Sequence, residues 1–151
     1  MRTLCIDGVA VAIDGKAVLL RGRSGSGRSD LALRLIDEGA RLVSDEQVEL
    51  HRADTQLMVT APAAMPASLK GLIEARGLGL VPVPYVGEPM PLAWVVDMAD
   101  KREIERLPAA EMAAYLDLEV PLLKLDPSSP SATAKLRLAV RCGPDHILGR
   151  E

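Results

Sequence analysis

The chain has 151 residues, of which 48% are hydrophobic and 26% charged, with a formal net charge of -3; the length predicts one domain, residues 1–151, able to bury a sizeable core. With no Phe, one Trp and two Tyr, and with no basic excess, it lacks both the stacking platforms and the electrostatic footprint of a nucleic-acid binder. Cys5 and Cys142 stand apart without C-x-x-C or zinc-type His spacing, and no apolar run suits a bilayer span or a signal peptide, so a reduced cytosolic protein without a membrane partner is expected.

In chain order, Val9–Ile13 and Ala17–Leu20 read as strands joined by Asp14-Gly15, a dipeptide suited to the positive φ angles of a type I′ turn. Next comes Gly22-Arg23-Ser24-Gly25-Ser26-Gly27-Arg28-Ser29. Gly22, Gly27 and Ser29 fit G-x-x-x-x-G-K-[ST], with Arg28 in the lysine position, and the required strand and helix flank the loop. Such a loop turns consecutive backbone N–H groups around a phosphate chain at a helix N-terminus. Ser29 would place its hydroxyl on Mg²⁺ and Arg28 its charge on the outer phosphates. The competing reading is a Gly/Ser-rich turn with Ser29 as a plain helix cap.

The helix carries Leu31, Ala32, Leu35 and Ile36 on one face and ends at Gly39. Arg41 to Glu46 is a strand delivering two acids, Asp45 and Glu46, at its C-terminal end, one helix after the phosphate loop. That placement favours a metal or base role over mere solvation. Val48–Leu50 and Leu57–Thr60 pair through a turn near Arg52–Thr55. Residues 61–68 are irregular, and the prolines at 82, 84, 89 and 91 exclude a helix around Leu80-Val81. Pro91–Val96 is a strand, Asp97 to Arg106 a charged turn, Ala109 to Leu116 a helix, and Pro121–Leu125 a strand. Ser131 caps a last helix through about Arg141, with Ala132, Leu136, Ala139 and Val140 buried and Gly143-Pro144 ending it.

Four segments, Asp7-Gly8-Val9, Gly22 to Ser29, Arg41-Leu-Val-Ser-Asp-Glu46 and Glu74-Ala-Arg-Gly-Leu-Gly79, resemble the C-terminal catalytic domain of HPr kinase/phosphorylase. The last is similar to that family's E-x-R-G-L-G signature, and likeness continues through Glu105-Arg106-Leu107 and Glu119-Val-Pro121. The chain looks like the short proteobacterial form, without the N-terminal domain of the long enzymes. The resemblance implies an α/β P-loop kinase core of the HPr kinase and phosphoenolpyruvate carboxykinase type, a mixed sheet with flanking helices. The implied activity is transfer of phosphoryl from ATP, or from pyrophosphate, to a serine of an HPr-like phosphocarrier protein, with Mg²⁺ as cofactor. It also implies phosphorolysis and a homo-oligomer for long family members. Residue by residue, Gly22 to Ser29 would hold the phosphates, Ser29 and Glu74 the metal, and Glu46, beside Asp45, would take the position of the base. Arg106 matches an active-site arginine.

The chain departs from the family pattern at Arg28, where the family has Lys; at Asp7, where it has a catalytic His; and at Glu46, where it has Asp. Pro127-Ser-Ser-Pro130 replaces a basic phosphorolysis loop. An arginine keeps the charge but is wider than an ammonium, and an aspartate adds an anion near phosphates. Two readings therefore stand side by side: an active serine kinase with little phosphorolysis, and a degenerate relative that binds nucleotide, phosphate or the carrier and regulates without efficient transfer. A P-loop kinase for a small metabolite is disfavoured by the Glu74–Gly79 segment.

Overall fold

The computed structural model describes residues 2–150. Eleven strands and two α-helices follow the chain in the order β1 (Thr3–Asp7), β2 (Val9–Ile13), β3 (Lys16–Arg21), α1 (Arg28–Asp37), β4 (Arg41–Ser44), β5 (Gln47–Ala53), β6 (Gln56–Thr60), β7 (Leu72–Ala75), β8 (Gly79–Pro82), β9 (Met90–Met98), β10 (Glu111–Tyr115), β11 (Leu118–Leu125) and α2 (Ala132–Cys142).

Nine of the strands form one mixed sheet, and β7 and β8 make a separate antiparallel hairpin. Along the main path the order is β1-β5-β6-β9-β3-β2-β4, with β11 added to β9 and β10 to β11. The β3–β9 and β9–β11 pairs are parallel and the other pairs antiparallel. β9 is a fork: Met90 and Pro91 pair with β6, Val95 to Met98 pair with β11, and the strand lies along β3 on its other side.

β2 is buried at all five positions, so both sheet faces are covered, and strand periodicity assigns its side chains alternately to two cores. Val9, Val11, Val18, Leu20, Trp94 and Val96 pack with Leu31 and Leu35 of α1 and Leu136 of α2. On the opposite face Ala10, Leu19, Val43 and Val95 meet Leu50, Leu57 and Val59, because β5 and β6 curl over that side. Trp94 Nε1 donates to the Ala139 carbonyl at 3.0 Å, satisfying the indole where it is buried beneath α2. Glu38 joins the helices, accepting from Thr133 Oγ1 at 2.9 Å and pairing with Arg137 at 2.7 Å.

The first hairpin forms as its sequence requires, with Asp14 and Gly15 at φ 51° and 79°. Two expectations are corrected. Residues 111–115, read as part of a helix over Ala109 to Leu116, are strand β10. Glu-Met-Ala-Ala favours a helix locally, but Leu116 and Asp117 adopt φ 51° and 63° and fold the segment back on β11, where Ala113 is buried. Ser131 does not cap α2 with its side chain; its hydroxyl lies 3.1 Å from that of Ser129. Beyond these, β1 and the β7–β8 hairpin exist where no strand was assigned: β1 is held by pairing to β5, and β7 carries buried Ile73 into the α1 side of the core.

Candidate active site

The loop from Gly22 to Ser29 leaves the C-terminal end of β3 in the middle of the sheet and enters α1. Arg21 fixes its entrance. Its guanidinium donates to both carboxylate oxygens of Asp97, at 2.7 and 2.9 Å, and to the Tyr115 hydroxyl at 2.8 Å. The hydrogen bond to Asp97, and then that to Tyr115, hold Arg21 above its usual range against the effect of partial burial. A bidentate pair of this kind locks the ends of β3 and β9 together directly beneath Gly22.

Within the loop, Ser26 N donates to the Arg23 carbonyl at 2.9 Å, and Arg23, Ser24 and Gly25 form its exposed crest. Gly27 is the N-cap of α1 at φ 101°, a conformation costly for any residue with a Cβ, and an added Cβ would lie 3.1 Å from the Pro127 ring. The first helical amide to find a carbonyl is that of Leu31, which donates to Gly27 O at 2.9 Å. The amides of Arg28, Ser29 and Asp30 have no backbone acceptor among the described residues. Ser26 Oγ is buried without a hydrogen-bond partner, 2.6 Å from where a Cβ on Gly22 would lie. Free amides at a helix start and an orphaned hydroxyl beside them fit a phosphate group.

Carboxylates gather at the same helix end. Ser29 Oγ donates to Asp45 Oδ1 at 2.9 Å, and the Glu74 backbone N–H donates to Asp45 Oδ2 at 3.0 Å. Since the Ser29 proton points to Asp45, a lone pair of its oxygen stays free for a cation. Glu46 sits at φ 70°, rare for a residue with a side chain, and is kept there by Gly8 N donating to its carbonyl at 2.9 Å. Ser44 Oγ donating to Gln47 O at 2.6 Å closes the bend. Partial desolvation of this largely exposed side chain, then the Asp45 and Glu74 carboxylates, push the Glu46 carboxyl above its ordinary range, while Arg28 opposes them. Asp45, Glu46 and Glu74 line a cavity of about 210 Å³ with Leu69 and Leu80 at its rim.

Asp7 also arrives here, at the end of β1. Its Oδ2 lies 3.8 Å from Arg28 Nη1. Asp7, Arg28, Ser29, Asp45, Glu46 and Glu74, far apart in the chain, thus form one cluster. Arg106 has no hydrogen bond or ion pair to the cluster among the described residues and lines a different cavity, beside the start of α2. The residues that sequence reasoning missed are Asp97 and Tyr115. The signal for Asp97 was faint: an acid ending a strand parallel to β3, level with Arg21 in register.

Among the described residues no group of three or more His, Cys, Asp or Glu is arranged as a metal cage. Mg²⁺ does not need one, because it takes one or two carboxylates and fills its remaining positions with phosphate oxygens and water. The all-oxygen set of Ser29, Glu74 and their neighbours has the right hardness for that ion.

A mixed sheet that delivers a glycine loop to a helix start, with acids beside the helix's second residue, defines an α/β domain of the P-loop kinase type. The comparisons give its family. The model described as the HPr Serine kinase C-terminal domain matches residues 2–136, and the chain belongs to that family. HPr kinase/phosphorylase of Levilactobacillus brevis is 42% identical over 78 residues, covering 52% of this chain and 24% of that protein. The Bacillus cereus protein of the same name is 41% identical over 81 residues, covering 54% and 25%. Each match thus takes in about a quarter of the curated relative's length. The solved structure of the Hpr(Ser) kinase/phosphatase from Coxiella burnetii superposes with a TM-score of 0.76 at 23% identity, over 91% of this chain and 94% of that one, and it supports the fold. No helix among the described residues is long and apolar enough to cross a membrane.

Proposed function

We propose that the chain is an ATP-dependent kinase acting on a serine of an HPr-like phosphocarrier protein, with Mg²⁺ held by Ser29 and Glu74. The observation that carries this reading is the hydrogen-bonded path from Ser29 through Asp45 to Glu74, set beside free amides at the start of α1. The loop amides and the helix N-terminus receive phosphate oxygens, and Arg28 adds positive charge to the outer phosphates. Asp45 orients the Ser29 hydroxyl and fixes the backbone at Glu74. Mg²⁺, when bound, neutralises charge on the phosphate oxygens.

Glu46 is the group with the properties of a general base. It is exposed at the mouth of the acid-lined cavity, and its raised proton affinity suits it to accept the proton of an incoming seryl hydroxyl. The seryl oxygen then bonds to the γ-phosphorus, the bond from that phosphorus to the β–γ bridging oxygen breaks, and ADP leaves. Pro127-Ser128-Ser129-Pro130 supplies no cation for the reverse attack of phosphate on phosphoserine, so phosphorolysis is weak. Family membership supports the substrate class, and a soluble carrier and a soluble nucleotide suit a cytoplasmic enzyme.

Incubation of the protein with labelled ATP, Mg²⁺ and the source organism's HPr-like protein tests the proposal. Phosphoserine on the carrier is the expected product. Nucleotide binding without phosphoserine would replace this reading with that of a regulator that binds without transfer, in which Asp7 keeps the Arg28 charge from the phosphates.

A further inference from the structure

A cavity of about 640 Å³ opens between the Lys101–Arg106 segment and the loop that leads from β11 into α2, within the range common for small-molecule sites. Its wall is continuous with the phosphate loop. Asp126 and Ser128 line it, and Pro127 between them packs on Gly27, the N-cap of α1. Arg34 of α1 hydrogen-bonds the Pro127 carbonyl, tying this wall to the helix whose first amides are free.

We propose that this cavity receives the nucleoside part of the phosphate donor and so selects a nucleoside triphosphate over pyrophosphate or an inorganic polyphosphate. The inference rests on the phosphate-cradle reading given above. A cradle of backbone amides meets the same oxygens in ATP and in a bare polyphosphate, so it cannot tell them apart. Discrimination needs groups that touch base or ribose within reach of the cradle, and this cavity supplies them.

Its chemistry is mixed in the way a nucleoside requires. Ile104, Pro108 and Leu125 give apolar surface for a base face. Arg106 and Lys124 pair with no carboxylate among the described residues, leaving a guanidinium free to stack on a π-face and an ammonium free to donate to a ring nitrogen or carbonyl of the base. Asp126 Oδ1 accepts from Ser128 N at 2.9 Å and Ser128 Oγ at 2.7 Å. Its Oδ2 has no such bond and can accept from a ribose hydroxyl or an exocyclic amine. The assignment also gives Arg106 a place in the reaction despite its distance from the carboxylate cluster.

The test compares ATP with inorganic tripolyphosphate by calorimetry in the presence of Mg²⁺, for the wild type and for Lys124→Trp. Lys124 is an exposed strand residue where an aromatic is well tolerated, and the indole would fill the cavity. The wild type is expected to bind ATP at least about tenfold more tightly than tripolyphosphate. In Lys124→Trp that advantage disappears, while tripolyphosphate affinity stays within about twofold. Equal affinity of the wild type for both ligands overturns the inference alone, as does a variant that weakens both together or neither. A wild type that binds neither ligand defeats the phosphate-cradle reading itself, and this inference with it. Should Lys124→Trp melt below the wild type, Ser128→Trp fills the same space from the opposite wall and is read by the same criteria.

Discussion

Arg28 and Asp7 face each other with 3.8 Å between Nη1 and Oδ2, the arginine side chain 10% exposed and the aspartate 75%. Two of the positions at which the chain leaves its family pattern are therefore spatial neighbours. With one partner so open to water, the pair contributes at most about 1 kcal/mol to folding, and its importance lies in where it holds the guanidinium. Restoring the family residues one at a time, Arg28→Lys and Asp7→His, is expected to lower phosphoryl transfer in each single variant, because each leaves the other partner in a site shaped for two. Turnover of both singles and the double, treated as a cycle, measures the coupling. A wild type at background whose double variant gains activity would show that the loop is degenerate instead.

Ser29 and Glu74 are expected to act through the metal. Ser29→Ala and Glu74→Gln should each weaken Mg-nucleotide binding by about 10–100-fold, with smaller losses for metal-free nucleotide. Calorimetric titration with and without Mg²⁺ reads the difference. Equal losses in the two conditions would assign both residues a purely structural role.

Glu46 gives a pH dependence of defined sign. Its carboxyl is raised by partial desolvation and by Asp45 and Glu74, so the acidic limb of the kcat/KM profile should lie above the ordinary glutamate range. Activity rises with pH as Glu46 ionises, and Glu74→Gln should move that limb to lower pH. Stability runs the other way: the protonated carboxyl favours the folded state below the unfolded value, and that contribution is lost as pH rises through the folded one. Glu46→Gln should therefore be slightly more stable than the wild type at neutral pH while losing about 10²–10⁴-fold in transfer. A variant that keeps wild-type turnover would remove Glu46 as the base.

Gly27→Ala should destabilise the fold by about 1–3 kcal/mol, since the residue has φ 101° and the added methyl would press on Pro127 at 3.1 Å. Urea unfolding measures the loss. If stability falls by less than a few tenths of a kcal/mol, the loop is relaxed enough to take another conformation.

Much of this was legible because the informative residues act locally. Asp14-Gly15 dictates its own turn, the Gly22–Ser29 spacing needs only a strand before it and a helix after it, and the α1 stripe of Leu31, Leu35 and Ile36 is read from periodicity. Failures came where distant partners decide. Glu-Met-Ala-Ala at 111–114 has the local preference of a helix and becomes a strand because β11 offers it an edge. β1 is only five residues long with no buried position, and it is fixed by pairing with β5. At the site, the acids at 45, 46 and 74 were singled out by pattern, but Asp97 was not, because its role depends on Arg21 lying beside it across a parallel pair formed over 76 residues of separation.

The fork at β9 bears on how this molecule is made. β3, which presents the phosphate loop, is sealed on one side by its hairpin partner β2, but its other side waits for Leu92 to Asp97. β6 waits for the same strand, and β11 adds to it once it follows. During synthesis the loop at residues 22–29 therefore leaves the ribosome long before the strand that braces it, and the nascent chain carries an apolar, half-paired β3 edge until β9 has emerged. Parallel pairing across such a span is slow and leaves the unpaired edge open to aggregation. A ribosome stalled before Met90 would thus hold the Gly22–Ser29 loop on a β3 with one edge unpaired, and one stalled after β9 had emerged would hold it on a strand braced from both sides.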